Sequence, residues 1–152
     1  MKDRTYRYMK NEALFPFGYG LSYSEFALEN VTLSSEEITS AGITVEADIT
    51  NTGAYDAAQT VQVYVKVEQD NTPNAQLKGL SKVFLKKGET QHVSITLPEE
   101  AFGLFNEDGK KVVTAGACSI YVGTSQPDAR SEKLTGHKTI KYRVNAKETY
   151  IL

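Results

Sequence analysis

The amino-acid sequence predicts an all-β protein, an antiparallel β-sandwich of about seven or eight strands. Three observations support this prediction. Apolar and polar residues alternate with a period of two in several segments, and turn-forming residues recur about every ten residues. No segment shows the apolar periodicity of an amphipathic helix of useful length.

The first half of the predicted sandwich contains three strands. Residues 26–33 alternate with an irregularity near Asn30, and residues 43–50, ITVEADIT, alternate strictly. The turn residues 51–53, Asn-Thr-Gly, end the second strand, because Asn and Gly tolerate positive φ. Residues 60–67, TVQVYVKV, then place four valines on one face of a third strand.

The second half repeats this pattern in five further segments. Strands are predicted where apolar residues alternate again, and turns or loops where Gly, Pro and charged residues cluster. The predicted strands are residues 77–86, 92–97, 110–113, 117–123 and 136–144, with a short helical turn at 98–100 and a polar loop at 124–135. The spacing favours a fibronectin type III or immunoglobulin-like sandwich. A true immunoglobulin domain is disfavoured, because the chain has no Trp and only one cysteine.

An aromatic segment precedes the sandwich. The chain has nine Tyr and six Phe, and the first 26 residues hold a disproportionate share of them. Buried aromatic rings remove about 150–250 Å² each from water, so this segment is expected to lie against another surface. We therefore divide the chain into an aromatic arm at 1–24, a sandwich at 25–145 and a tail at 146–152. The aromatic residues are Tyr6, Tyr8, Phe15, Phe17, Tyr19, Tyr23 and Phe26.

Composition excludes several classes of function. A length of 152 residues suits one domain plus an arm, and a formal charge of −2 without a basic stripe gives no reason to expect nucleic-acid binding. No apolar run is long enough to span a membrane, and no apolar signal-peptide core follows Lys2 and Arg4. The chain is thus expected to be either cytosolic or an internal part of a longer protein. Cys118 alternates with apolar neighbours and is expected to be a small buried side chain.

Several sequence blocks carry a family resemblance. These blocks are TYRYM, FPFGYGLSYSEF, VEADITNTGAYDAAQTVQVYV, LKGLSKVFLKKGETQHVSITL and FNEDGKKVVTAGACSIYVGTS, in this order over residues 4–144. Together they resemble the C-terminal domain of glycoside hydrolase family 3 enzymes, which include β-glucosidases and β-xylosidases. The resemblance implies a fibronectin type III-like domain that follows a catalytic barrel and an α/β sandwich. Three departures from the family pattern, Leu80, Cys118 and Ser119, are interpreted as variation in the core.

The sequence offers no catalytic, metal or cofactor site. Glycoside hydrolysis needs two carboxyl groups across the scissile bond, whereas the adjacent acidic pairs 36–37, 99–100 and 107–108 are typical of solvated turns. In the family, the nucleophile is an aspartate in a Ser-Asp-Trp type motif of the barrel, and this motif is missing here. The chain alone is therefore expected to be inactive. Its two histidines, His92 and His137, lack further ligands at metal-binding spacing, and no cofactor is expected.

Three roles remain open for the aromatic residues of the arm. The favoured one is packing against the barrel and α/β-sandwich domains of a parent β-glycosidase, with a β-glucosidase as the favoured parent. The others are contact with β-linked glucan or xylan, at the rim of the substrate site or as a binding module, and an adhesion or scaffold role. The candidate residues are Tyr6, Tyr8, Phe15, Phe17, Tyr19 and Tyr23. By analogy with polysaccharide-degrading relatives, the parent is expected to be secreted or periplasmic.

Overall fold

The computed structural model describes residues 7–152, and these residues form a β-sandwich. Each predicted period-two segment corresponds to a strand, with bounds that move by a few residues. The strands are β1 (Phe26–Leu33), β2 (Ile43–Asn51), β3 (Ala57–Val67), β4 (Gln76–Leu85), β5 (Thr90–Leu97), β6 (Leu104–Phe105), β7 (Lys111–Val113), β8 (Gly116–Gly123), β9 (Ile140–Ala146) and β10 (Tyr150–Ile151). A 3₁₀ turn spans Glu99–Phe102, and one helix, α1, spans Ala129–Thr135.

Two main sheets form the sandwich, and all the pairs within them are antiparallel. One sheet has the strand order β1-β2-β5 and the other β4-β3-β8-β9, while β10-β7-β6 forms a small third sheet. The prediction of an all-β antiparallel sandwich is confirmed. No helix within residues 7–152 is both long and apolar enough to cross a membrane.

The core lies between the inner faces of the two main sheets. Alternation along β2 and β3 supplies much of it, because every second side chain of a strand points to the same face. Ile43, Ile49, Val61 and Val63 have no exposed surface, and Phe102 from the 3₁₀ turn is almost completely buried. Burial of such side chains contributes about 1.5–3 kcal/mol each and holds the sheets together.

The irregularity predicted near Asn30 is a break in the β1–β2 register. Pairing shifts between Glu29 and Thr32, and Asn30 adopts a φ of 50°. Asn tolerates this left-handed conformation better than most residues, because its short polar side chain can bond locally. Its amide donates a 2.8 Å hydrogen bond to Asp48 on β2.

Helix α1 corrects one prediction, because residues 124–135 were expected to be a polar loop throughout. The helix begins after Asp128, whose carboxylate accepts a 2.6 Å hydrogen bond from the Ser131 amide. It ends at Gly136, which has a φ of 73°. Both capping residues are of types that commonly begin and end helices, so the sequence contained a signal for this helix. The helix has only seven residues, which is too short to show apolar periodicity.

Leu80 corrects a second interpretation. Cys118 is 1% exposed and belongs to the core, as expected. Ser119 is also 1% exposed, but it lies on the opposite face of β8, where its hydroxyl donates to Glu68. Leu80 is 58% exposed and lies on the outer face of β4. The buried neighbours Val83 and Leu85 occupy the opposite face of the same strand.

Candidate docking surface

The aromatic arm is fastened to the sandwich through its backbone. The Asn74 amide N–H donates a 2.7 Å hydrogen bond to the Arg7 carbonyl, and its side-chain amide donates a 3.0 Å bond to the Met9 carbonyl. Farther along, the Gln126 N–H donates to the Phe17 carbonyl over 3.1 Å. Pro16 is buried, unlike its neighbours. These contacts fix the path of the arm although residues 7–25 form no strand or helix.

Gly18 brings the arm close to the outer face of the four-stranded sheet. Its φ is 83°, and a Cβ placed on it would lie 2.9 Å from the side-chain nitrogen of Gln62 on β3. Gln62 in turn accepts a 2.6 Å hydrogen bond from the Tyr64 hydroxyl and donates a 3.2 Å bond to the Thr124 carbonyl. The left-handed backbone therefore favours glycine here, and a larger residue would also press on the Gln62 side chain and the Ser125 backbone.

Burial changes the acidity of Tyr64 beneath the arm. Desolvation raises its pKa to about 12, and the negative charge of Asp128 acts in the same direction. Tyr64 is only 3% exposed although it lies on the outer face of β3, opposite the inward-pointing valines. The neutral phenol thus serves as a hydrogen-bond donor to Gln62 and not as a titrating group at neutral pH.

The arm joins the sandwich at a buried polar cluster. Ser24 donates a 2.6 Å hydrogen bond to the Asn51 side-chain oxygen, which also accepts a 3.1 Å bond from the Gly53 N–H. The Thr52 and Gly53 amides donate to the Glu25 carbonyl over 2.9 and 3.1 Å. Because Ser24 and Glu25 lie 27 or 28 residues from the partners that they bond, the junction is held by the sandwich itself.

Most of the large side chains of the arm are exposed although its backbone is bonded to the sandwich. Tyr19 is half-buried and stacks on Phe15, with ring centroids 5.8 Å apart. Tyr6 lies outside the described residues. The remaining candidates and two leucines are exposed: Tyr8 by 42%, Phe17 by 63%, Phe15 by 68%, Leu14 by 73%, Tyr23 by 92% and Leu21 by 95%. A soluble monomer rarely presents so many neighbouring apolar groups without a partner.

A groove lies between the arm and the sheet. It has a volume of about 560 Å³ and is lined by Phe15, Tyr121, Asn74, Glu12 and Arg130 among others. Lys141 lies 5.3 Å from the centre of the Tyr121 ring and covers one of its faces. The groove therefore combines aromatic, acidic and basic groups.

The titratable groups of the sandwich are engaged in local structure. The Ser119 hydroxyl donates a 2.6 Å hydrogen bond to Glu68 and lowers the pKa of that carboxyl. Hydrogen bonds from Asn30 and then from His92 lower the pKa of Asp48. Burial, followed by the charge of Glu68, raises the pKa of the Cys118 thiol to about 11. Within residues 7–152 no three His, Cys, Asp or Glu side chains are placed to hold a metal ion.

Several exposed apolar residues were missed by the sequence analysis. Tyr55 and Phe84 are both 64% exposed, and Leu80 is 58% exposed. Strict alternation along VFL at 83–85 places Phe84 opposite the buried Val83 and Leu85. That alternation was a usable signal for Phe84, because an aromatic side chain on the polar face of a strand is unusual.

Comparisons with known proteins agree with this architecture. Residues 59–126 match the model of the fibronectin type III-like domain. An exo-α-(1→6)-L-arabinopyranosidase from Bifidobacterium breve is 45% identical over 116 residues, which are 74% of this chain and 15% of that protein. A β-glucosidase structure from Listeria innocua superposes with a TM-score of 0.78 at 32% identity, over 95% of this chain and 19% of that one.

A third relative places this likeness within a family of enzymes. The structure of a GH3 β-glucosidase from Bifidobacterium adolescentis superposes with a TM-score of 0.70 at 36% identity, over 85% of this chain and 18% of that one. The chain thus spans between 15% and 19% of the length of these three relatives. The chain is therefore a fibronectin type III-like domain that belongs to glycoside hydrolase family 3.

Proposed function

We propose that the aromatic arm docks this accessory domain onto the catalytic domains of a β-glycosidase and so stabilises them. The observation that carries the proposal is that the backbone of the arm is bonded to the sandwich while most of its large side chains are exposed. Hydrogen bonds from Asn74 and Gln126 fix the backbone, whereas Phe15, Phe17 and Tyr23 are 63–92% exposed. A pre-ordered backbone that presents exposed rings is suited to packing against a second surface, because little conformational entropy is lost on docking.

The exposed rings can supply a useful docking free energy. Complete burial of a Phe side chain contributes about 1.5–3 kcal/mol, so Phe15 and Phe17 together contribute about 3–6 kcal/mol before losses. Costs of side-chain ordering and imperfect polar pairing reduce this sum. Since the partner domains would be covalently linked, the remaining few kcal/mol suffice to hold them together.

The catalytic chemistry is assigned to the rest of the parent polypeptide. The three relatives compared above are glycosidases, and this chain matches less than a fifth of each. Hydrolysis of β-glycosidic bonds, with a β-glucosidase favoured, is the activity that we propose for the parent. The isolated chain is then expected to hydrolyse neither aryl β-glucosides nor aryl β-xylosides.

The docking proposal can be tested with a double variant. Phe15→Ser combined with Phe17→Ser should lower the melting temperature of the catalytic domains in the complete enzyme by several degrees, because it removes about 3 kcal/mol of contact. The same double variant should hardly change the melting temperature of the isolated chain, in which both rings are exposed. Phe105→Ser is the matched control, since Phe105 is 71% exposed on the small third sheet. An unchanged melting temperature of the enzyme, or an equal decrease in the melting temperature of the isolated chain, would contradict docking.

A second candidate function is contact with a β-linked glucan or xylan. The groove of about 560 Å³ between the arm and the sheet favours it, because aromatic rings and polar groups line the same space. Calorimetric titration of the isolated chain with soluble β-glucan and xylan tests this candidate. Binding that Phe15→Ala or Tyr121→Ala abolishes would support a sugar-contact role, because both rings line the groove. No binding at millimolar oligosaccharide would leave docking as the function of the arm.

A further inference from the structure

We propose that the docking surface continues from the arm onto the outer face of β4, where Leu80 and Phe84 flank Lys82. This inference rests on the proposed function. Its occupant is an apolar surface of the catalytic part of the same polypeptide, with a carboxylate opposite Lys82. Nothing in the sequence resemblance or in the relatives compared above assigns a role to these three side chains.

The alternation of β4 creates the exposed row. Val83 and Leu85 are 6% and 0% exposed and belong to the core, so Phe84 and its neighbours two residues apart face outward. Leu80 and Phe84 remain 58% and 64% exposed. Within residues 7–152, β4 is also the edge strand of its sheet, with β3 as its one neighbour in the strand order. Large apolar side chains on an uncovered edge strand favour aggregation, and natural proteins generally cover or charge such edges.

The strand register places this row beside the arm. Phe84 pairs with Ala58 of β3, and Leu80 pairs with Gln62. Gln62 is also the residue that Gly18 of the arm approaches. The arm thus passes over β3 at the level of Leu80.

The arm stays beside β3 at the level of Phe84. Leu21 and Ser22 line the same depression as Ala58, the partner of Phe84. The arm therefore runs near β3, and the row lies on the neighbouring strand β4, which is about 5 Å from β3 in the direction of strand pairing. One flat partner surface can cover both, and Leu21 at 95% exposure belongs to the same contact.

The charge of Lys82 and the length of the relatives favour a domain of the same polypeptide as the occupant of this row. A twofold dimer through this row would bring the two Lys82 side chains together when its axis passes between Leu80 and Phe84, and like charges at close range oppose such pairing. The relatives extend over more than four-fifths of their length beyond the part that this chain matches. A covalently linked domain of the same polypeptide is present at a high effective concentration, so it is the partner that the row would meet first.

Hydroxyl-radical footprinting with mass spectrometry tests the inference. The isolated chain and the complete enzyme are oxidised under identical conditions, and the yields at Phe84, Phe15 and Phe105 are compared. We expect Phe84 to be oxidised at least fivefold less in the enzyme than in the isolated chain. Equal oxidation of Phe84 in both would overturn the inference. Protection of Phe15 and Phe17 from oxidation reports separately on the arm. If Phe84 were oxidised and the two arm rings were protected, only this inference would be refuted. If the rings at both places were oxidised, the proposed function would be refuted as well.

A pair of variants provides an independent test. Leu80→Ser with Phe84→Ser in the complete enzyme should increase the rate of proteolytic separation of the domain about tenfold, because the two side chains leave the interface. The pair should leave the isolated chain folded, since neither side chain belongs to its core. Phe105→Ser is again the control. An unchanged proteolysis rate would overturn the inference. Loss of Phe84 oxidation in the isolated chain with rising protein concentration, or on addition of xylan, would assign the row to a second copy or to a sugar instead.

Discussion

Asn51 links the arm, two turns and two strands through a single buried side chain. It has no exposed surface, and its amide donates to the carbonyls of Tyr55 and Leu85 over 2.8 and 3.0 Å. Its oxygen accepts from Ser24 and Gly53. This side chain therefore satisfies several polar groups that water cannot reach.

We predict that Asn51→Ala lowers the free energy of unfolding by about 3 kcal/mol, because buried partners are left without hydrogen bonds. Urea denaturation followed by circular dichroism measures the change. Asn106→Ala is the control. Asn106 is exposed, and its side-chain oxygen accepts one bond, from the Lys110 N–H. A similar loss in both variants would contradict a special role for Asn51.

Cys118 makes the stability of the domain depend on alkaline pH. Its pKa is raised to about 11, against about 8.5 in an unfolded chain. The folded state then binds the proton more tightly, so the stabilisation is complete below pH 8.5 and is lost as the pH rises towards 11. Tyr64, with a pKa of about 12, adds a loss in the same direction above pH 10.

We predict that Cys118→Val abolishes the part of this loss that begins near pH 8.5, while the part above pH 10 remains. Urea denaturation at a series of pH values from 7 to 10.5 measures both parts. The native thiol should also react with Ellman's reagent at pH 8 only after denaturant is added, since Cys118 is 1% exposed. The same pH dependence in wild type and variant, or fast labelling of the native protein, would refute this account.

At the scale of the elements, α1 depends on its N-terminal cap. The Asp128 carboxylate accepts from the Ser131 N–H, and the helix has only seven residues. We predict that Asp128→Ala destabilises this helix by about 1 kcal/mol. Hydrogen exchange at the Glu132 and Thr135 amides should accelerate about fivefold, whereas Asp70→Ala at an exposed loop position should leave it unchanged. Equal exchange rates in both variants would show that the cap is dispensable.

The elements differ in how far the sequence determines them. Strands such as β2 and β3 can be predicted because one of their faces must be apolar. Apolar and polar residues therefore alternate over eight or more positions. The helix α1 and the two-residue strands β6 and β10 are too short to carry a period. Leu80 illustrates a further limit. Its exposure depends on which face of β4 its side chain occupies and on whether another element covers that face. The presence of an apolar residue in a strand determines neither of these.

At the scale of the whole molecule, the path of the arm was not readable from the sequence. An arm without its partner can be disordered, fold back on the sandwich or be buried between two copies of the chain. Residues 7–24 are folded back on the sandwich, with the backbone carbonyls of Arg7 and Phe17 bonded to Asn74 and Gln126. These partners lie at least 65 residues from the arm residues that they bond, in loops whose positions follow from the assembled sandwich. Only the side chains that still point outward bear on the proposed docking role.

Gly18 offers a direct test of whether this folded-back path exists in solution. An alanine at position 18 would have to adopt a φ near 83°, which costs about 1 kcal/mol. Its Cβ would also lie close to Gln62 and to the Ser125 backbone. We predict that Gly18→Ala increases chymotrypsin cleavage at Phe17 and Tyr19 about tenfold, because cleavage follows the population of the opened arm. Gly20→Ala is the matched control, since a Cβ at Gly20 would meet nothing within 4 Å. If both variants were cleaved as slowly as the wild type, the arm would be held by contacts other than that of Gly18. If the wild type itself were cleaved at once, the arm would be open in the isolated chain and its order would depend on the partner domains.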